Sequence, residues 1–362
     1  MEKFLEIVRI GIERGATDIH LVQDYVPLYR IKRQLIREES LEPMQRFDLE
    51  RLMEALVGDN LELVERFEQT KRLDLPFEID DNVRLRVNAS MASGVPTFSI
   101  RVIRNKNINV DKFRLRPIIK EINKHKSGLI LITGKVNSGK TTTMNALVQE
   151  VNRMFNKKVV MLEEPIEYVH KSDKSIIIQK EVSKEADVPS YYDGVINLLR
   201  EDSDIAIIGE IRDRKTMEAV LDLSESGGLV IGTLHTRSCG ETVERILSMY
   251  DPSEQKAIKN TLSSVLKLVV SQKLVLSKEG EVVLVPEIMT VNHTIAALIR
   301  QEKFSISEIQ DAIHHSIDNE LVSFERSFTK LYQENIIDMK VIEENVERNS
   351  FNLITNLIGG GY

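Results

Sequence analysis

Residues 128 to 143 read GLILITGKVNSGKTTT. The run Leu129 to Ile132 is wholly aliphatic, which suits a short strand buried on both faces. Gly134 to Thr141 then carries the spacing G-x-x-x-x-G-K-[ST], and Thr141 opens a helix. A buried strand, a glycine loop and a helix N-terminus in this order aim backbone N–H groups at an anion. In that frame Lys140 neutralises the β- and γ-oxygens of ATP, and the Thr141 hydroxyl ligates Mg²⁺. Lys135, Val136, Asn137, Ser138, Gly139 and Thr142 complete the phosphate cradle. Asn137 stands where glycine is common, and Asn is among the few residues that tolerate positive φ.

Short apolar strands and helices alternate on both sides of this loop. KVVMLEE, SIIIQ, DIAIIGE and LVIGTLH are separated by helical stretches through INLLR, from Thr216 and after Cys239. That alternation predicts an α/β domain with a mainly parallel sheet covered on both faces. From about residue 290 the chain reads as helical only. The first hundred residues differ. Phe4, Ile7, Val8, Ile10 and Ile12 predict an amphipathic helix ending near Gly15. VRLRVN (Val83 to Asn88) alternates strictly, a turn is placed at Gly94 to Pro96, and TFSIRVIR alternates again, predicting a hairpin with Arg84, Arg86 and Arg101 on its polar face. NKNINVDKFRLRP, 105–117, is polar and aperiodic and is read as a linker. The expected organisation is therefore an N-terminal α+β domain over 1–104, that linker, an ATP-binding core over 118–290 and a helical region over 291–362.

Composition narrows the class. The 362 residues are 42% hydrophobic and 29% charged, with a net charge of −7, enough chain for two globular domains and no overall basic field for nucleic acid. Aromatic residues make up 5% and Trp is absent, which argues against base stacking. Cys239 is the single cysteine, so internal disulfides and multi-cysteine zinc sites are excluded and a reducing cytosol fits. The charged N-terminus is not a signal peptide, and no run approaches the roughly 18 apolar residues of a membrane span. Membrane contact is expected only through partners.

Three further clusters can serve a nucleotide. In DIAIIGE, Ile205 to Ile208 bury a strand and Glu210 emerges at its end, where a carboxylate holds the water shell of a metal or orients the attacking water. LEEPIEYVH places Glu163, Glu164 and Glu167 beyond another apolar strand; this reads either as the mouth of the site or as a solvated acidic turn. His235 ends LVIGTLH, as a γ-phosphate sensor or a structural histidine. Arg86 and Arg101 offer a planar fork to phosphate, against the plainer reading of a solvated basic face.

The strings GATDIHL, GKVNSGKTTT, LEEPIEYVH, IIGEIRD and TLHT, in this order, resemble the type II/IV secretion ATPases, and more narrowly the type IV pilus retraction ATPases of twitching motility. The resemblance runs from about Gly15 to about Lys303. It implies a PAS-like N-terminal domain, a RecA-like P-loop ATPase domain and a homo-hexamer. It further implies a cytoplasmic place at the pilus base on the inner face of the membrane, under an inner-membrane platform protein of the pilus machinery. The Walker A segment is then Gly134 to Thr141, and the acidic box is Glu163 to Glu167, with Glu164 and Glu210 beside Thr141 at the metal. His235 belongs to the histidine box, and Arg86 and Arg101 are the N-terminal arginines. TIAALIRQEK, Thr294 to Lys303, resembles the helix that retraction motors need for pulling. The sequence departs from the pattern at Glu164, where Asp is usual, at Gly228, where a box histidine is usual, and at Lys135 and Asn137, where Pro and Gly are typical. A pilus-assembly or type II secretion ATPase is the nearest alternative, and a RecA-like nucleic-acid-binding ATPase a remote one.

Overall fold

A computed structural model describes the whole chain except residues 32–33, 81–82, 105–107, 112, 185, 317–319 and 360–362. It divides into two compact units, Met1–Asn107 and Ile108–Tyr362.

The first unit contains α1 (Glu2–Glu13), β1 (Asp18–Leu21), β2 (Leu28–Ile31), β3 (Gln34–Arg37), α2 (Arg46–Val57), α3 (Leu61–Thr70), β4 (Arg72–Asp80), β5 (Val83–Ala92) and β6 (Val95–Arg104). Its strands form a six-stranded antiparallel sheet in the order β3-β2-β1-β6-β5-β4. The alternation in VRLRVN decides which face is buried: Val83, Leu85 and Val87 join Phe98 and Ile100 in a core with Phe4, Ile7 and Val8 of α1 and Leu49 of α2. The hairpin turn lies one residue earlier than expected, at Ser93-Gly94, with φ of 52° and 78°. Positive φ at both central residues matches the twist of the flanking strands, so Ala92 pairs with Val95 and Pro96 falls inside β6, opposite Met91.

The second unit begins with α4 (Arg116–Ile122), β7 (Gly128–Thr133), α5 (Lys140–Met154), β8 (Lys158–Glu163), β9 (Ile176–Glu181), α6 (Tyr191–Leu198) and β10 (Ile205–Ile208). It continues through α7 (Arg214–Glu225), β11 (Leu229–Leu234), α8 (Cys239–Leu247), α9 (Gln255–Val265), β12 (Leu266–Leu276) and β13 (Val282–Thr290). It ends with α10 (His293–Arg300), α11 (Ile306–His315), β14 (Leu321–Val322), α12 (Phe324–Gln333), α13 (Met339–Asn345) and α14 (Arg348–Gly359). The eight-stranded sheet runs β14-β13-β12-β7-β11-β10-β8-β9, parallel from β12 to β9, with β13 and β14 added antiparallel at one edge. Ile130 and Ile132 of β7 face a core with Leu147 and Val151 of α5, while Leu129 and Leu131 face the core of α6 to α9. This two-sided burial explains why GLILIT carries no polar alternation.

Two expectations change. Of the segment read as linker, residues 105–107 and 112 lie outside the described residues. Ile108, Val110 and Leu115 are buried in the core under α5, so from Ile108 onward the segment is part of the second unit. The region after 290 is not purely helical, because β14 pairs with β13. The β12-β13 hairpin, with nine paired positions from Leu268↔Thr290 to Leu276↔Val282, was also not foreseen. Its outer surface seats the C-terminal helices: Val275, Val283 and Val285 pack with Phe324, Phe328 and Ile354.

Ile207 is fully buried in β10, paired on both sides. Ile207→Ala should cost about 2–5 kcal/mol in urea unfolding, the range for emptying a large aliphatic side chain in a rigid core. A cost below about 1 kcal/mol would contradict a central, two-sided strand.

Candidate nucleotide-binding site

The loop after β7 takes the form that its residues dictate. Gly134 has φ of 146°, and a Cβ there would sit 2.3 Å from Ser138 Oγ and 2.6 Å from Gln272 O, so only glycine fits. Asn137 adopts φ of 65°, the left-handed conformation expected of it, and Gly139, at 88°, caps the start of α5. A cavity of about 430 Å³ opens above the loop. It is lined by Val136 to Thr142, by Glu163 at the end of β8 and Glu164 and Glu167 beyond it, by Gly209 and Glu210 after β10, by Thr233 and His235 at the end of β11, and by Leu274 of β12. Four of the five strands named in the sequence, β7, β8, β10 and β11, thus bring their ends to the carboxyl edge of one parallel sheet, which is where such sheets bind ligands.

Charges in the cavity form a chain. Lys140 is buried, and its Nζ donates to Gly134 O at 2.9 Å and Lys135 O at 3.0 Å while lying 3.3 Å from His235 Nδ1. Burial pulls the Lys140 ammonium below its ordinary pKa, and the Glu210 carboxylate works against that. His235 Nε2 is 3.1 Å from Glu210 Oε1, Arg212 donates to Glu210 Oε2 at 2.7 Å, and Arg212 also lies 2.9 Å from Glu164 Oε2. Burial alone would raise the Glu210 carboxyl; the hydrogen bond and charge of Arg212, aided by His235 and Lys140, outweigh it and hold the group below the usual carboxylate range.

A second network orders the acidic box. Glu163 is buried, and its Oε1 accepts from Gln179 Nε2 at 2.8 Å. The same Gln179 amide donates to Tyr168 O at 2.6 Å and accepts the His170 N–H at 2.8 Å. His170 Nε2 lies 2.5 Å from Asn145 Oδ1, and Asn145 Nδ2 donates to Thr141 O at 2.9 Å. The acidic segment is thereby tied to the first turn of α5. Gly209 is needed because a Cβ there would meet Leu162 O at 2.8 Å and Tyr191 Oη at 2.9 Å.

Thr141 and Thr142 line the cavity with part of their surface exposed. Arg86 and Arg101 belong to the first unit, where they face each other across β5 and β6. Arg86 lies 3.7 Å from Asp74, and Arg101 donates to Asp18 Oδ1 at 3.2 Å. Sequence reasoning passed over Arg212, Gln179 and Asn145. Arg212 stood in the quoted IIGEIRD, and Gln179 was the one polar residue closing SIIIQ; Asn145, inside a helix, gave no signal.

Burial pushes the His170 imidazole down to about 4. The folded chain therefore keeps it neutral where the unfolded chain would protonate it near the ordinary pKa of about 6.5. Between about pH 6.5 and 4 the unfolded state binds more protons, so stability falls as pH falls through that window, by up to about 3 kcal/mol from this group. His170→Gln should flatten that part of the unfolding free energy against pH, and an unchanged slope would remove His170 as its source.

The Type II/IV secretion system protein family model matches residues 3–281. A type IV pilus retraction ATPase of Pseudomonas aeruginosa, PilT, is 31% identical over 308 residues, covering 85% of this chain and 88% of that protein. A twitching motility protein of Neisseria gonorrhoeae is 29% identical over 86% of this chain and 82% of its own length. The crystal structure of the pilus retraction motor PilT with bound ADP superposes with a TM-score of 0.86 at 29% identity, over 95% of this chain and 97% of that one. The phosphate loop, the carboxylates after β8 and β10 and the histidine after β11 meet in one cleft of such a fold, and the chain belongs to the type II/IV secretion system protein family, as one of its ATPases.

Proposed function

We propose that the chain is an ATP-driven motor for type IV pilus retraction. The observation that carries the reading is the unbroken chain from Lys140 through His235 and Glu210 to Arg212 over a complete phosphate loop. The likeness to retraction ATPases over most of both chains supports the direction of work. By the same resemblance the motor acts as a homo-hexamer at the cytoplasmic face of the inner membrane, with pilus platform proteins as partners. No helix among the described residues is long and apolar enough to cross a membrane.

The residues present fit ATP with Mg²⁺. The Ser138 hydroxyl is buried and, among the described residues, has no hydrogen-bond partner, so it has a donor to give a phosphate oxygen. The groups that would face a metal beside the phosphates are oxygens: the Thr141 hydroxyl and the carboxylates of Glu164 and Glu210. Among the described residues no cluster of three or more His, Cys, Asp or Glu builds a metal cage. That suits Mg²⁺, which usually takes one or two protein ligands and completes its shell with phosphates and water. When bound, the ion supplies charge neutralisation at the β- and γ-oxygens.

The chain's own residues divide the remaining work. Lys140 exchanges its loop carbonyls for phosphate oxygens. Glu210 has both oxygens engaged, by His235 and Arg212, and is held below the usual carboxylate range, which makes it a poor proton acceptor and a good anchor. Glu163, buried and oriented by Gln179, is the better placed base. It takes the proton of the water whose oxygen bonds to the γ-phosphorus as the bond to ADP breaks. Arg86 and Arg101 are, by the resemblance alone, the further arginines that would serve the phosphates.

Lys140→Ala should abolish nucleotide binding. Glu163→Gln should bind ATP and lose at least about 100-fold in kcat, as expected of a general base. Wild-type turnover in Glu163→Gln would remove it from catalysis, and wild-type turnover in the Arg86→Ala, Arg101→Ala double variant would reduce that face to solvated surface. Deleting the gene decides the direction: cells with abundant pili and lost twitching support retraction, whereas bald cells would mean assembly.

A further inference from the structure

Arg212 stands beside the cleft, against two of its carboxylates, and phosphate binding does not account for it. β8 and β10 are parallel neighbours with Leu162 opposite Ile208, so Glu164 and Glu210 lie at equal distances beyond the last paired residues. Arg212 forks between them, 2.9 Å from Glu164 Oε2 and 2.7 Å from Glu210 Oε2. The other oxygen of Glu210 is held at 3.1 Å by His235. A hydrated Mg²⁺ needs carboxylate oxygens to accept hydrogen bonds from its waters, and the guanidinium uses those same acceptors.

We propose that Arg212 is a positioning residue that latches Glu164 to Glu210 across the ends of β8 and β10, and that this latch competes with the divalent cation and sets how much Mg²⁺ the site requires. The inference rests on the reading of the cleft as a Mg²⁺–ATP site. Arg212 and Glu164 are half-exposed, so each bond alone is weak, and a weak latch is what reversible competition needs. The length of Glu164 matters. One methylene is about 1.5 Å of reach, so Glu164→Asp would open the 2.9 Å contact beyond hydrogen-bond range while keeping the charge.

The test titrates Mg²⁺ into the purified full chain with the fluorescent nucleotide mant-ADP, following binding, and repeats the measurement in EDTA. Glu164→Asp and Arg212→Gln should lower the Mg²⁺ concentration at half-maximal metal-dependent binding by about threefold to fivefold. In EDTA the affinity of Arg212→Gln should match the wild type, which separates an effect on the metal from one on the nucleotide. The same Mg²⁺ midpoint in the variants as in the wild type overturns the latch, as does a higher midpoint, which would make Arg212 an aid to metal binding. Should Arg212→Gln fail to fold by thermal melting, Arg212→Lys, which keeps the charge but cannot fork between two carboxylates, decides in its place. Failure of the wild type to bind mant-ADP at all would instead overturn the site reading on which the latch depends.

Discussion

A buried ammonium group governs the architecture of the second unit. Lys140 opens α5 on the inner side of the phosphate loop, and its charge must be met there because solvent is largely excluded. The loop meets it with its own carbonyls at Gly134 and Lys135, and β11 and β10 meet it with His235 and, beyond that, Glu210. Under the proposed function, a phosphate is the ligand that would meet the lysine and the loop N–H groups together.

The sheet exists to hold that arrangement. β7 brings the loop, β8 the acidic box, β10 Glu210 and β11 His235, and their parallel pairing fixes all four at one edge. β12 supports the loop from the other side. Gln272 donates to the Thr143 hydroxyl at 2.7 Å, and Leu274 lines the cavity against Gly139. The hairpin that contains these residues is itself buttressed by the C-terminal helices, through Phe328 and Ile354 in a common core and through Lys273, whose Nζ lies 4.2 Å from the Phe324 ring centroid. Arg114 reaches across to Glu334, so the first residues of the second unit and its C-terminal helices are joined by an ion pair. α10, the helix predicted in TIAALIRQEK, is finished by Lys259, whose Nζ donates to Gln301 O at 3.1 Å and Glu302 O at 2.9 Å.

Much of this was legible in residue order. GLILIT with the glycine loop specified a buried parallel strand and its helix, and even the left-handed Asn137 followed from its chemistry. VRLRVN gave the first sheet its buried face. The failures have physical causes. The linker reading of 105–117 counted polar residues and overlooked Ile108, Val110 and Leu115, whose irregular spacing suits a coil laid on a core and no regular element. β12, β13 and the two-residue β14 were missed because apolar runs broken by residues such as Lys267, Gln272 and Glu287 keep no clear period, and their pairing is a tertiary fact. In the site, sequence could list the carboxylates but not rank them. Both oxygens of Glu210 are engaged, by the Arg212 guanidinium and the His235 imidazole, and Glu163 is steered by an amide sixteen positions away.

The most direct test is a crystal structure of the chain with Mg²⁺ and a non-hydrolysable ATP analogue. In that structure Lys140 Nζ is expected to leave the carbonyls of Gly134 and Lys135 for the β- and γ-phosphate oxygens, with Thr141 at the metal and Glu163 facing the γ-phosphate. A lysine still bound to its loop carbonyls, with the nucleotide elsewhere on the protein, would contradict that expectation.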